Sequence, residues 1–310
     1  MEMNDVLVVF LAGFAASLVD GALGMGFGPT SSSILLGTGL SPAGISTTVN
    51  LAKVATGFTA ALAHWRFDNI DRQLVRRLVV PGSLGALVGV TVLTSVDGDA
   101  IRPAIAVLLL AMAGRILVRF SRPLPGTQAS DRASGEDAPP RTRGTAAVAA
   151  AGGVTNGLVG AWGPVVTPFL LQRGFAPRYA IGSVNTAEVA VAVVAAGSLL
   201  ASVGGGGVDV PIVLAMLAGG TLAAPLAAWV LRFLPARGLG VAVGTLLLAT
   251  NTRELASMLE VGTGRWVAYA AVAGACAYAI LRPRRARGGA KGTDVEDATT
   301  WGSRRWLPPS

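Results

Sequence analysis

Lys53 and Glu188 are the two side chains whose setting in this sequence asks for chemistry. Lys53 lies in Val49-Asn50-Leu51-Ala52-Lys53-Val54-Ala55, and Glu188 in Val184-Asn185-Thr186-Ala187-Glu188-Val189-Ala190. Five of those seven positions are identical, and the charged one swaps an ammonium for a carboxylate. Both runs sit inside long apolar stretches. A charge at the centre of a bilayer costs ~2.5–3.5 kcal/mol on insertion scales, and intramembrane charges mark substrate or proton pathways by default. The two charges can therefore handle a substrate or a proton; the plainer alternative is a buried ion pair that only fixes two halves. Asn50 and Asn185 stand about one helical turn before them, on a similar face. They can bond substrate oxygens or exposed backbone, or serve as interhelical glue worth ~0.6–2 kcal/mol.

The elements that position these residues are themselves written twice. Gly28-Pro29 returns as Gly163-Pro164, Gly39 as Gly174 and Pro42 as Pro177, all at one offset. A duplicated unit with polar residues at matching depths is the usual construction of a secondary transporter, whose site forms where the repeats meet. In the first copy an apolar segment over 6–23 is broken by Gly24-Met25-Gly26-Phe27-Gly28-Pro29, because Gly and Pro together disfavour a continuing helix. Residues 30–40 then form a piece of about 16 Å if helical, too short for a ~30 Å hydrocarbon core. Thr30, Ser31 and Ser32 follow that break, and Thr167 follows the second. The free N–H groups and positive end of such a half-helix make an anion site that needs no charged side chain. The alternative is that these hydroxyls only satisfy local backbone. Asp20 precedes the first break as a coupling-ion or proton group, or as a cap. His64, beside Trp65, reads as an interfacial ring.

Composition excludes other classes. Of 310 residues, 52% are hydrophobic and only 14% charged, against roughly a quarter charged in soluble domains. The net charge of +8 comes from arginines in short loops and the tail, as the positive-inside rule expects, and no nucleic-acid motif is legible. A single cysteine, Cys276, and a single histidine leave no disulfide framework, no Cys/His metal site and no nucleophile pair. No cofactor is expected. The acidic start Met1-Glu2-Met3-Asn4-Asp5 lacks the basic region of a signal peptide, so the first apolar segment is expected to be retained.

The arginines set the topology. Arg66, Arg72, Arg76 and Arg77 place residues 66–77 in the cytoplasm, and the linker and tail join them there. Residues 42–65 then cross inward and 177–203 outward. The expected fold is an all-α polytopic membrane protein with inverted repeats, each opening with a Gly/Pro-broken hairpin. Its parts are repeat 1 (1–120), a linker (121–143), repeat 2 (144–259), an extra transmembrane helix (264–282) and a basic, disordered tail (283–310).

At Asp20-Gly21-Ala22-Leu23-Gly24-Met25-Gly26-Phe27-Gly28 and Leu40-Ser41-Pro42, the chain resembles the sulfite exporter TauE/SafE family of bacterial membrane proteins. Asn156-Gly157-Leu158-Val159-Gly160-Ala161-Trp162-Gly163 and Phe175-Ala176-Pro177 repeat the pattern with one residue fewer in the break. The resemblance, from about residue 8 to 280, implies transport of sulfur-containing anions such as sulfite or sulfonates.

The combined reading is a secondary transporter in the inner (cytoplasmic) membrane. It moves a small sulfur-containing or organic anion by alternating access. The partners are that anion and the lipid bilayer, with no nucleic acid, and self-association is open. Substrate is expected at Thr30, Ser31, Ser32, Asn50, Lys53, Thr167, Asn185 and Glu188, with Asp20 and Glu188 handling a coupling ion or proton. The rivals are a passive channel or structural subunit and, further off, an intramembrane enzyme. In a Cys276→Ala background, Asn69→Cys should resist an impermeant thiol reagent added to intact spheroplasts, whereas Gly98→Cys should label. The reverse pattern overturns the topology of the first repeat.

Overall fold

The computed structural model describes residues 3–23, 25–121, 142–203, 209–230, 236–260, 262 and 264–281. The expected tail lies outside them, as does the expected linker except at its ends. The described residues form eleven helices and no strand. The first repeat holds α1 (Met3–Leu23), α2 (Phe27–Leu36), α3 (Pro42–Arg66), α4 (Arg72–Ser95) and α5 (Gly98–Ser121). The second holds α6 (Thr145–Val159), α7 (Gly163–Gln172), α8 (Pro177–Val203), α9 (Val210–Val230) and α10 (Ala236–Met258), and α11 (Gly264–Leu281) follows.

The protein is an all-α polytopic membrane protein. Helices α4, α5 and residues 177–202 of α8 are long and apolar enough to cross a membrane, and α1, α6, α9 and α11 contain shorter apolar stretches. Phe58, Leu62, Trp65, Leu84 and Val88 point outward, where lipid rather than water would meet them.

Matched residues do matched jobs. The short helix α2 starts at Phe27, earlier than the Gly/Pro run alone predicts. Pro29 falls in its first turn, where a missing N–H costs nothing. Pro164 does the same in α7. Gly39 and Gly174 lie in the turns that follow the two short helices, with φ of +82° and +88°, a conformation open to glycine and costly for other residues. Pro42 then sits at the first position of α3, with Ser41 capping the helix by accepting from Gly44 N–H at 3.1 Å.

Four of the main helix contacts join matched helices of the two halves. Helix α1 packs on α9 as α4 packs on α6, while α3 meets α8 and α5 meets α10. The first two contacts run parallel. Gly13 faces Met216 and Gly220 faces Ser17 in one; Gly85 faces Ala150 and Gly89 faces Val154 in the other. The last two run antiparallel, with Gly57 against Val189 and His64 against Asn185, and with Phe120 against Gly240 and Leu117 against Gly244.

Small residues make the parallel crossings close. A Cβ added to Gly85 would run into the backbone carbonyl of Ala150, and one on Gly153 into that of Gly82. Contacts of this kind replace the hydrophobic effect, which does not drive helices together in lipid. Gly85→Ala should therefore destabilise the protein by about 1–3 kcal/mol through overpacking. Gly114→Ala, with nothing within 4 Å of the new methyl group, should be neutral or stabilising by up to ~1 kcal/mol. Thermal melting in detergent reads both, and equal effects would show that the crossing has room to spare.

Candidate functional site

The site grows from the two places where a membrane helix stops. A helix end leaves backbone groups without partners, and lipid supplies none. At the first break, one carboxylate oxygen of Asp20 accepts from the backbone N–H of Gly26 at 2.7 Å and Phe27 at 3.1 Å. A negative charge thus sits at the positive end of α2, where the macrodipole favours it. At the second break the matched residue, Thr155, donates its hydroxyl to the carbonyl of Ala161 at 2.6 Å. Positions 20 and 155 staple equivalent turns with opposite hydrogen-bond polarity.

The end of α6 draws its remaining donors from the first repeat. Asn50 donates to the carbonyl of Asn156 at 3.1 Å, and Ser46 to that of Gly157 at 2.7 Å. Ser32 donates to the carbonyl of Val159 and Lys53 to that of Gly160, both at 2.7 Å. The Asn156 side chain returns a bond to the Asn50 side-chain carbonyl at 2.7 Å. The Lys53 ammonium lies at the negative end of α6, again the favourable sign.

Lys53 also forms an ion pair with Glu188. The two are 7% and 18% exposed, so the bridge has left bulk water on both sides. It lines a cavity of about 530 Å³ with Asp20, Asn185, Thr56 and Thr221. Asn185, half-buried, contacts the His64 ring nitrogen Nε2 at 3.2 Å through its side-chain amide. Donors and acceptors of both signs converge here from α1, α3, α8 and α9. That is the composition of a small-molecule site between packed helices.

Residues 9–253 match the family model described as Sulfite exporter TauE/SafE. The chain belongs to the sulfite exporter TauE/SafE family. A relative of Bacillus subtilis (strain 168), named probable membrane transporter protein YtnM, is 36% identical over 272 residues, covering 87% of each chain. No solved structure matches. The protein is thus a membrane transporter of the TauE/SafE family, and both names are those of transporters rather than enzymes.

In this family member the residues singled out from sequence fall into two groups. Asp20, Lys53, Asn185 and Glu188 line the cavity together. Thr30, Ser31, Ser32, Asn50 and Thr167 are buried in the packing around the breaks and are not part of its lining. Ser31 donates to the carbonyls of Phe27 and Gly28 within its own helix. The hydroxyls of Thr30 and Thr167 are buried with no hydrogen-bond partner.

Sequence reasoning passed over three contributors. Asn156 figured only as the first residue of the second Gly-rich break, although an Asn beside Gly at a helix end is a cue for a cap. Ser46 carried no signal beyond its place one turn before Asn50. Asn251 donates to the Ser33 hydroxyl at 2.7 Å from the far helix α10, and no local pattern announces that contact.

Removing one partner of a buried ion pair strands the other, at a cost of about 3–5 kcal/mol. Lys53→Ala should cost more than Glu188→Ala, because it also strips a donor from Gly160. The double variant should be less harmful than the sum of the singles. Folded yield and melting temperature in detergent complete the cycle, and strict additivity would mean the pair does not interact.

Proposed function

We propose that the protein is a secondary transporter that carries a small anion across the cytoplasmic membrane by alternating access. An asymmetry between matched positions carries this reading. Ser32, Asn50 and Lys53 of the first repeat all bond the end of α6. Among the described residues, their counterparts in the second repeat make no equivalent set of bonds. The Thr167 hydroxyl has no partner, Asn185 has turned to His64, and Glu188 binds Lys53. The cavity lies where the missing contacts would be, between Asp20 and Phe27 on one side and Asn185 and Glu188 on the other.

Two equivalent halves in unequal conformations are what a carrier needs. Exchanging the roles of the repeats closes the cavity and opens the other side, with no change in fold. The parallel contacts α1–α9 and α4–α6, with the antiparallel contacts α3–α8 and α5–α10, support opposite orientations of the two copies. They agree with the orientation that the arginine-rich loops give. In that orientation Thr56 and Thr59 lie on the cytoplasmic side of Lys53, so the cavity faces inward. The bonds from Ser32, Ser46 and Asn50 to α6 form the barrier above it.

Lys53 and Asn185 are the groups that would receive an anion, with Asp20 and Glu188 setting the local charge. Thr167 would take the part of Ser32 in the opposite state. Sulfur oxyanions are the substrate class that the family's description supports. Proteoliposomes loaded with unlabelled ethanesulfonate or sulfite should take up the labelled anion transiently above its equilibrium level. Labelled anion entering only to equilibrium, at a rate independent of the internal anion, overturns the carrier reading in favour of a channel.

A further inference from the structure

The cavity brings together two carboxylates, Asp20 and Glu188, and one ammonium, Lys53. With all three in their ordinary ionisation states the site is already negative before any anion enters. Its one cation is engaged by Glu188. An anion arriving in this setting meets repulsion from both carboxylates and finds no free positive partner. A proton delivered to one carboxylate removes both obstacles.

The surroundings decide which carboxylate takes it. Asp20 accepts two backbone N–H groups at the start of α2, at 2.7 and 3.1 Å. Those bonds already engage one of its oxygens with backbone donors at the positive end of α2. Glu188 has Lys53 as its partner and, among the described residues, no such backbone cradle.

Other charged groups near Glu188 are few. Among the described residues, helices α2, α6, α7 and α9 carry no acidic or basic side chain. Helix α3 brings Lys53, His64 beyond Asn185, and Arg66 at its last position. Helix α4 has Arg72, Arg76 and Arg77 near its start, with Asp71 capping it, and α8 has Arg178 near its own start; none of these lines the cavity.

We propose that Glu188 takes up one proton for each monovalent anion bound, and that the anion replaces the Glu188 carboxylate as the partner of Lys53. This rests on the anion-carrier reading and adds its coupling ion. On binding, the carboxylate becomes a carboxylic acid and the Lys53 ammonium keeps its proton. On release, the anion departs, the proton returns to water, and the carboxylate regains the ammonium. In the conformation seen here Lys53 also holds the Gly160 carbonyl at 2.7 Å, so the exchange occurs at the latch between the repeats. A monovalent anion then crosses with one proton, without net charge.

Ethanesulfonate tests this well because it is the anion of a strong acid and brings no proton of its own. The full chain, in lipid nanodiscs and weak buffer with a pH dye, should take up about one proton per anion bound. Infrared difference spectra should show a carboxylic acid band appearing as a carboxylate band disappears. That band should shift when the protein is labelled with carbon-13 glutamate and stay put when aspartate is labelled, which assigns it without any mutation. Glu188→Gln should bind the anion without proton uptake.

Counterflow of the same probe separates the outcomes. Counterflow with no proton uptake, or with a band that follows aspartate, overturns the coupling and leaves the carrier reading standing. Absence of both binding and counterflow overturns the anion reading on which the coupling rests.

Discussion

Four backbone carbonyls at the end of α6 constrain the rest of this structure. A helix that stops inside a membrane exposes acceptors that lipid cannot satisfy. Here Asn50, Ser46, Ser32 and Lys53 reach across from the first repeat to supply donors. Breaking the helix and joining the halves are therefore one event. The half-helix α2 must approach closely enough for Ser32 to reach Val159, which is why Gly28 lies against the backbone of Gly160 with no room for a Cβ. Helix α3 must then present Ser46, Asn50 and Lys53 along one face, and their spacing of four and three residues does so.

This arrangement also gives the ion pair its setting. Lys53 already meets a carbonyl and the oxygen of Asn156, at 2.7 and 3.5 Å. Its charge is thus partly satisfied before Glu188 is added. A lysine held in this way can change its anionic partner without being left bare, which a two-body salt bridge in an apolar core could not do. The cavity beside it supplies the room for that change.

Much of this was legible in the sequence because the repeats share one offset. That offset located Lys53 and Glu188 as equivalents, and the structure brings them into contact. It also identified Gly39 and Gly174 before their left-handed conformations were known. Asn50 was readable as a donor either to substrate or to a broken hairpin, and it bonds the hairpin. The divergence of Asn185 toward His64 was not readable, since two identical residues give no hint that one is engaged and the other turned away. The close crossings were hidden for a different reason. Glycine and alanine are abundant throughout this chain, so Gly13, Gly85 and Gly153 did not stand out from small residues with nothing near them, such as Gly114. Asp20 was seen as a coupling group or a cap; the hydrogen bonds to Gly26 and Phe27 depend on how sharply the chain turns, which spacing alone does not give.

Lys53 and Glu188 occupy the same position in two copies of one unit. Two identical copies related by a two-fold axis would bring lysine to lysine there, or glutamate to glutamate. Either would place like charges together out of water. Opposite charges across such an axis require copies that differ in sequence. Covalent fusion lets the copies differ, and it ensures that each lysine copy meets a glutamate copy rather than another of its own kind. The one charge difference in a seven-residue motif that is identical at five positions therefore makes the two halves non-interchangeable: one carries the cation and the other its anionic partner.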